Sequence, residues 1–428
     1  MTHKAINGDL PIVVAGAGAA GTMAAIFAAR AGGRPVILLE GTRDGGRKIL
    51  ISGGGRCNVL PSVLDPARYV TASSPATMRN ILRSWPLAEQ RRFFEEEIGL
   101  ELVLEPETGK LFPASNKARQ VRDGLLAAAV RSGVGVRFGV RLAGIEPAGG
   151  AWRVLLEGAP PIAAAAVVLA TGGLSVPATG SDGTGLEIAR RLGHTIHPTY
   201  PALTPLTADP PVHAPLAGIS PVVTIEAPGG KRPFRTTGGF LFTHRGYSGP
   251  SVLDVSHLAV LSRMRGETGA ERQQILVQWT ELDTAAWDAA LGEGGPGTVA
   301  NVVRRRMPLR LAEVLLAEAG IGAEVTLSHL ARERRRALVA LLARYPLPWS
   351  GDEGYRKAEV TGGGVALGEI DPRTMESRLH PGLFLCGELL DAFGPIGGYN
   401  FVWAWATGRA AGRGVATPPP ASRTSDPP

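Results

Sequence analysis

Cysteine is nearly absent: Cys57 and Cys386 are the only two in 428 residues. That count excludes a disulfide-built scaffold and fits a reducing compartment. No Cys-x-x-Cys pair and no metal-ligand spacing occurs, so neither a dithiol relay of that type nor a zinc site is expected. Long apolar runs are missing as well. Leu10 to Ala29 carries no charge, but it holds Pro11 and three glycines, and another strand-like run soon follows. It does not read as a membrane span, which needs roughly 20 apolar residues. Pro161 to Ala170 is shorter still, and Met1 to Asp9 lacks the composition of a targeting peptide. A cytoplasmic protein without membrane insertion is expected.

What is present is ample apolar material, 44% of residues, and a net charge of +7. The length suits about two or three domains. The arginine-rich balance suits anionic ligands without being diagnostic. Arg304-Arg305-Arg306 and Arg332-Glu333-Arg334-Arg335-Arg336 sit among leucines in helix-like segments, which reads as a solvated helix face. Nucleic-acid binding is the lesser reading, since no recognisable DNA or RNA motif accompanies the charge.

Glycine is placed with purpose near the N-terminus. Ile12-Val13-Val14-Ala15 leads into Gly16-Ala17-Gly18-Ala19-Ala20-Gly21, then a helical segment from Thr22 to Ala31, then Val36-Ile37-Leu38-Leu39 ending in Glu40. Gly16 permits the tight turn, Gly18 lets backbone approach a pyrophosphate, and Gly21 lets the helix pack on its strand. Ala19 and Ala20 lie in the turn before the helix, whose free N–H groups suit phosphate oxygens. Glu40, 19 residues beyond Gly21, stands where a carboxylate accepts from ribose hydroxyls. Strand, turn, helix, strand and acid in this order spell a dinucleotide site.

The pattern along the chain is α/β. Residues 1–193 alternate apolar runs with helical segments, as a mainly parallel sheet requires, and the glycine-rich texture returns over 357–415. Between them, prolines crowd residues 198–221 and short β-like runs such as Val222-Val223-Thr224-Ile225 appear. This predicts an inserted β-rich domain over 194–255 and 345–356. A helical domain is expected over 256–344, with its clearest helices at Leu309–Ala319 and Leu330–Arg344. The proline-rich 416–428 reads as a disordered tail.

Only one fingerprint has the strand–turn–helix context, so the site takes NAD or the ADP half of FAD. The strand ends Ala170-Thr171-Gly172-Gly173 and Leu385-Cys386-Gly387-Glu388, with a helix opening after Gly394-Pro395-Ile396-Gly397-Gly398-Tyr399-Asn400, favour FAD. That helix can aim its positive end where a reduced flavin gathers charge. Ser52-Gly53-Gly54-Gly55-Arg56-Cys57-Asn58 is the best candidate for lying along the flavin ring. Its glycines allow close approach, Arg56 can offset charge, and Asn58 can hydrogen-bond the ring. Cys57 invites a redox reading, but a buried structural thiol is the plainer one. His244, beside Arg245 and Tyr247 in a polar turn, is a candidate acid or simply a turn residue. Trp403 and Trp405 read as core or pocket wall.

With these motifs assembled, the chain resembles the HI0933-like (YhiN) family of the two-dinucleotide-binding-domain flavoprotein superfamily. The shared motifs run from about residue 11 to 412. They include Gly16 to Gly21, Gly46-Arg47-Lys48 through Asn58, Phe112-Pro113-Ala114-Ser115, and Gly180-Ser181-Asp182-Gly183. Further on they include Leu241-Phe242-Thr243-His244-Arg245-Gly246-Tyr247, Thr361-Gly362-Gly363-Gly364 and Thr374-Met375-Glu376-Ser377. The resemblance implies a Rossmann-like FAD-binding domain, with Lys48 among its binding residues, interrupted by a β-barrel-like domain and a small helical domain. It implies an oxidoreductase whose flavin takes hydride from a visiting NAD(P)H and passes it to an unsaturated small molecule. A steroid-like enone is one acceptor associated with the family. Phe401-Val402-Trp403-Ala404-Trp405 is bulkier than usual there, so that substrate does not transfer. An RNA-modifying flavoprotein and a non-catalytic flavin-binding redox regulator are the alternatives. The sequence does not fix the oligomeric state.

Overall fold

Residues 10–229 and 232–416 are described by the computed structural model. The chain forms two compact units, one from Met1–Thr199 with Val360–Pro428 and the other from Tyr200–Glu359.

The first unit is built on five parallel strands: β1 (Ile12–Ala15), β2 (Val36–Glu40), β3 (Gly135–Phe138), β4 (Ala166–Leu169) and β5 (Leu383–Leu385), in the order β5-β4-β1-β2-β3. Parallel strands covered on both faces are apolar throughout rather than alternating, and β1, β4 and β5 are buried at every position. The registers Ile12↔Ala166 and Ile12↔Val36 put β1 at the centre. Helix α1 (Ala19–Ala31) follows β1, and helix α3 (Tyr399–Ala416) lies along it. Their approach is close enough that a Cβ on Gly408 would come within 2.3 Å of the Ala20 carbonyl oxygen, and one on Gly412 within 2.3 Å of that of Ala24. Helix α2 (Arg47–Gly55) follows β2 in the chain and packs against the helix Ala118–Arg131. Two antiparallel additions, Leu142–Ala148 with Ala151–Leu156 and Ala159–Ala164, and Leu60–Pro61 with Lys110–Pro113 and Leu102–Glu105, were not foreseen from the alternation of runs. Helix α3 continues through Ala416, and 417–428 of the expected tail lie outside the described residues.

The second unit carries two four-stranded sheets. One holds Leu206–Thr207, Leu241–Thr243, Gly246–Ser248 and Gly351–Asp352, and the other Val222–Ala227, Phe234–Gly239, Leu276–Gln278 and Tyr345–Pro346. Leu276–Gln278 falls inside the stretch expected to be helical. The expected helices appear at Leu309–Glu318 and Arg332–Ala343. Strands and helices share one apolar core, in which Trp279, Phe240 and Tyr247 from the β-rich part meet Trp287, Leu311, Leu315 and Leu338 from the helices. The strands and helices expected as separate β-rich and helical domains over 194–356 contribute to this one core within one compact unit. Arg332, Arg334 and Arg336 are exposed, as expected of a solvated face. No described helix is long and apolar enough to cross a membrane.

Candidate functional site

At the end of β1 the chain turns at Gly16, whose φ of +104° is left-handed and whose Cβ would stand 2.5 Å from the Ala170 carbonyl oxygen. A Cβ on Gly21 would meet the Gly16 oxygen at 1.8 Å, so α1 can approach its strand only with glycine there. Gly18 differs: a Cβ there would meet nothing within 4 Å. Its glycine answers no neighbour in the protein and leaves the start of α1 bare. Ala19 and Ala20 form the first turn of that helix, whose N-cap Gly18 supplies no side-chain partner to the free N–H groups.

Glu40 closes this turn from β2. It is 8% exposed and accepts from Ala17 N (2.9 Å), Thr42 N (2.8 Å) and Thr42 Oγ1 (2.7 Å). At the end of β4, the Thr171 hydroxyl is buried with no hydrogen-bond partner among the described residues, and Gly172 turns at φ +77°.

Helix α2 breaks where the glycines begin. Ser52 is extended, its Oγ donating to Ile49 O (2.7 Å), and Gly53 and Gly54 are left-handed at φ +55° and +67°. A Cβ on Gly54 would again meet open space, so this segment is a bare backbone ledge, with Gly55 completing it. Arg56 lies over the Phe112 ring, 4.0 Å from its centre, and donates to Glu105 (2.9 Å). Asn58 is buried. With its amide turned to satisfy both groups, it donates to Leu60 O (3.1 Å) and accepts from Gly398 N (3.0 Å). It therefore pins the ledge to the start of α3 and has little left for a ring. Cys57 is fully buried, and burial pushes its thiol up to about 12. At neutral pH it holds no thiolate, so the redox reading gives way to the structural one. Cys386 is buried likewise, its thiol pushed up by burial.

Lys48 and Glu388 meet. Lys48 Nζ donates to Glu388 Oε2 (2.6 Å) and Ser175 Oγ (2.7 Å), while Thr361 N and Oγ1 each donate to Glu388 Oε1 (2.9 Å). Burial alone would raise the Glu388 carboxyl, but the Lys48 ammonium and the hydroxyls of Ser175 and Thr361 hold it below the usual range. Gly387 donates to Thr407 Oγ1 (3.0 Å) and accepts from Trp403 Nε1 (3.0 Å), and Trp405 Nε1 donates to Val59 O (3.1 Å). Both tryptophans are therefore core. Gly397 and Gly398 are left-handed at φ +123° and +91°. The Asn400 side chain bridges back to Gly394 N and O (2.9 Å each), and the buried Tyr399 hydroxyl is within 3.3 Å of Asp65 N.

The first unit thus gathers every expected cofactor residue, from Gly16 to Asn400. His244 is not among them. It is exposed at the hairpin turn between Leu241–Thr243 and Gly246–Ser248 of the second unit.

Residues 10–414 match a family described as HI0933-like protein Rossmann domain. The chain belongs to the HI0933-like family. Its relatives are of full length. The Clostridium scindens 3-dehydro-bile acid delta(4,6)-reductase is 32% identical over 411 residues, covering 95% of this chain and 99% of the relative. The ribosomal RNA dihydrouridine synthase of Escherichia coli is 33% identical over 405 residues, covering 92% and 95%. Its Haemophilus influenzae namesake is 30% identical over 416 residues, covering 94% and 98%.

Sequence reasoning within the family missed two sets of residues. Ser175 and Thr361, which fix Glu388, gave no local signal. In the second unit, buried His213 bonds Tyr247 OH (2.8 Å) through Nδ1 and Tyr345 OH (3.0 Å) through Nε2, and Tyr345 donates to Glu318 (3.2 Å). Because a carboxylate only accepts, the Tyr345 oxygen receives the His213 Nε2 proton, leaving Nδ1 to accept from Tyr247. Burial lowers the His213 pKa, which favours the neutral ring in this chain.

Proposed function

We propose that this chain is an FAD-dependent oxidoreductase that reduces a carbon–carbon double bond conjugated to a carbonyl. NAD(P)H is the donor in this reading and a small molecule the acceptor. The observation that carries the cofactor is the open space beside Gly18, where neither backbone conformation nor any neighbour in the protein requires glycine. The unpartnered buried Thr171 hydroxyl beside the same turn fits a site meant for a polar ligand. The flavin, when bound, supplies the hydride chemistry.

In this reading Gly16 to Gly21 and the α1 N-terminus hold the pyrophosphate, and Glu40 uses the lone pairs left beyond Ala17 and Thr42 for ribose hydroxyls. Ser52 to Gly55 form the ledge along the ring, with Arg56 near its edge. The Lys48–Glu388 pair, Asn58, and the Gly397 to Asn400 turn keep ledge and α3 in register. The positive end of α3 favours negative charge on whatever lies before it. A single dinucleotide turn agrees with a nicotinamide that visits rather than resides.

The reaction class is supported by the two kinds of relative. Reduction of a 3-dehydro-bile acid across delta(4,6) bonds and formation of dihydrouridine from uridine are both additions of two hydrogens to a double bond conjugated with a carbonyl. The second kind of relative keeps RNA as an alternative acceptor.

The test is an absorbance spectrum of the purified protein, then anaerobic NADH and NADPH. Bands near the roughly 450 nm of oxidised flavin, bleached by either nucleotide, are expected. Bound NAD with no flavin contradicts the reading, and flavin that neither nucleotide bleaches removes the donor from it. Turnover of a conjugated steroid enone against a uridine-containing RNA then separates the two acceptors.

A further inference from the structure

In the second unit, the surroundings of Arg272 leave its cation without an acceptor among the described residues. Arg272 lies with its guanidinium 3.7 Å from the centre of the Trp349 ring. Among the described residues no carboxylate or carbonyl accepts from its side chain, whereas nearby Arg263 is bonded to Asp352 (2.6 Å) and Arg265 to Glu267. The stack is fixed in advance, since Trp349 is 6% exposed and its Nε1 donates to Gln273 O (3.1 Å). One face of the guanidinium is thereby stripped of water, and its fork of N–H donors stays charged at any physiological pH.

The edge of Arg272 forms part of the wall of a pocket of about 240 Å³, completed by Arg263, Glu267, Thr268, Gly269 and Ser350. Gly269 is left-handed at φ +56°, with open space where a Cβ would be. Glu267 is neutralised by Arg265, so the pocket's uncompensated charge is that of Arg272. Its volume is below the roughly 300 Å³ at which drug-sized ligand pockets begin. It suits one group of a larger ligand, not a whole dinucleotide. A planar fork with the Thr268 hydroxyl beside it offers donors from more than one direction, which matches a tetrahedral oxyanion better than a flat carboxylate; the Ser350 hydroxyl donates to Thr207 O (3.3 Å).

We propose that this pocket is a phosphoryl-binding site in which Arg272, held on Trp349, supplies the bidentate contact. The phosphoryl group belongs either to a nucleic-acid backbone or to a nicotinamide dinucleotide. The pocket is lined by residues of the second unit alone, and phosphoryl binding there does not depend on what is reduced in the first.

The test is calorimetric titration of the full-length protein with inorganic phosphate, NADPH, NADH and a single-stranded RNA dodecamer, without turnover. Wild type is expected to bind inorganic phosphate, and Arg272→Gln to weaken that binding at least about tenfold, the scale of one charge-assisted bidentate contact. Arg272→Lys, which keeps the charge but not the fork, is expected to fall nearly as far. Arg334→Gln, an exposed arginine outside the pocket, is expected to bind as wild type. RNA that binds more tightly than phosphate, weakens with salt and depends on Arg272 names the nucleic acid as source. A dinucleotide whose tighter binding depends on Arg272 names the other. Equal affinities in wild type and both Arg272 variants for all four probes, or no binding of any to wild type, overturn the proposal. Melting temperatures check the variants' folds, and Arg272→Lys serves alone if Arg272→Gln unfolds.

Discussion

The two units use buried polar groups in opposite ways. In the first, Lys48, Glu388 and Thr361 bond one another and Asn58 bonds backbone, while the backbone at Gly18 and Gly54 carries no side chains. In the second, His213, Tyr247 and Tyr345 bond in a buried chain that ends on the exposed Glu318, among packed aromatic rings. One unit spends its polar bonds on holding a bare surface in place, and the other on its own interior. The same contrast appears among the tryptophans: Trp403 and Trp405 in the first unit each have their indole N–H bonded, while those of Trp279 and Trp287 in the second have no partner among the described residues. A dinucleotide turn needs the first arrangement and has no use for the second.

The largest effect should come from forcing a side chain into the first unit. In Gly21→Ala the new Cβ would overlap the Gly16 oxygen, and the protein should lose soluble expression or more than about 4 kcal/mol of stability, the range kept for severe core damage. Near-wild-type denaturant unfolding would show that the turn is looser than described. Glu388→Gln leaves Lys48 facing a neutral group in a half-buried site, and should cost about 3 kcal/mol, the low end for breaking a buried pair. The Glu388 carboxyl sits below its usual value, so the stability it contributes is present above about pH 4.5 and fades as pH falls further, with the carboxylate taking up its proton. A urea series from pH 6 to pH 3 should therefore lose more stability in wild type than in the variant.

The second unit should respond to acid earlier through His257. That ring is buried, its Nδ1 is 2.9 Å from the Asp254 carbonyl oxygen, and burial lowers its pKa from 6.5 to about 4. The unfolded chain binds the proton first, so the stability contributed by the neutral ring is complete above pH 6.5 and is lost as pH falls towards 4, by about 3 kcal/mol in all at 1.36 kcal/mol per pKa unit. Hydrogen exchange followed on peptides from 200–359 should lose protection between pH 6.5 and 4.5, and His257→Phe should flatten that slope. An unchanged slope in the variant would move the cause elsewhere. The smallest effect is a difference between tryptophans: Trp403→Phe removes one of the two donors to the Gly387 carbonyl, which keeps Leu390 N (3.2 Å), and should cost about 1 kcal/mol more than Trp287→Phe, which removes a donor that had no partner. The reverse order in urea unfolding would undo that part of the contrast.

Legibility in the sequence followed the same division. Gly16 to Gly21 and Glu40 could be read because backbone sterics demand particular residues at fixed spacing, and the five-stranded parallel sheet followed from apolar runs that do not alternate. Lys48 and Glu388 were singled out separately, but nothing local signals that residues 340 apart bond each other, nor that Ser175 and Thr361 complete the set. His213 stands alone in a proline-rich segment and acquires meaning only from Tyr247 and Tyr345. Leu276–Gln278 is three residues long, too short for any period to show, and is a strand only because Val222–Ala227 and Tyr345–Pro346 flank it. Cys57 and Asn58 sit in a segment whose glycines point to a ligand, yet both side chains turn inward, and burial is not written in the motif.

The central claim is that the bare backbone at the start of α1 is shaped for a cofactor and not for the protein. Gly18→Ala tests it directly, because Gly18 is already extended at φ −79°, ψ −166°, which alanine adopts freely, and its Cβ would touch nothing. The account predicts a variant whose melting temperature matches cofactor-stripped wild type within about 2 °C, a change below 1 kcal/mol, and whose bound flavin, read by absorbance after purification, falls at least tenfold. Flavin retained at the wild-type level in that variant would contradict it.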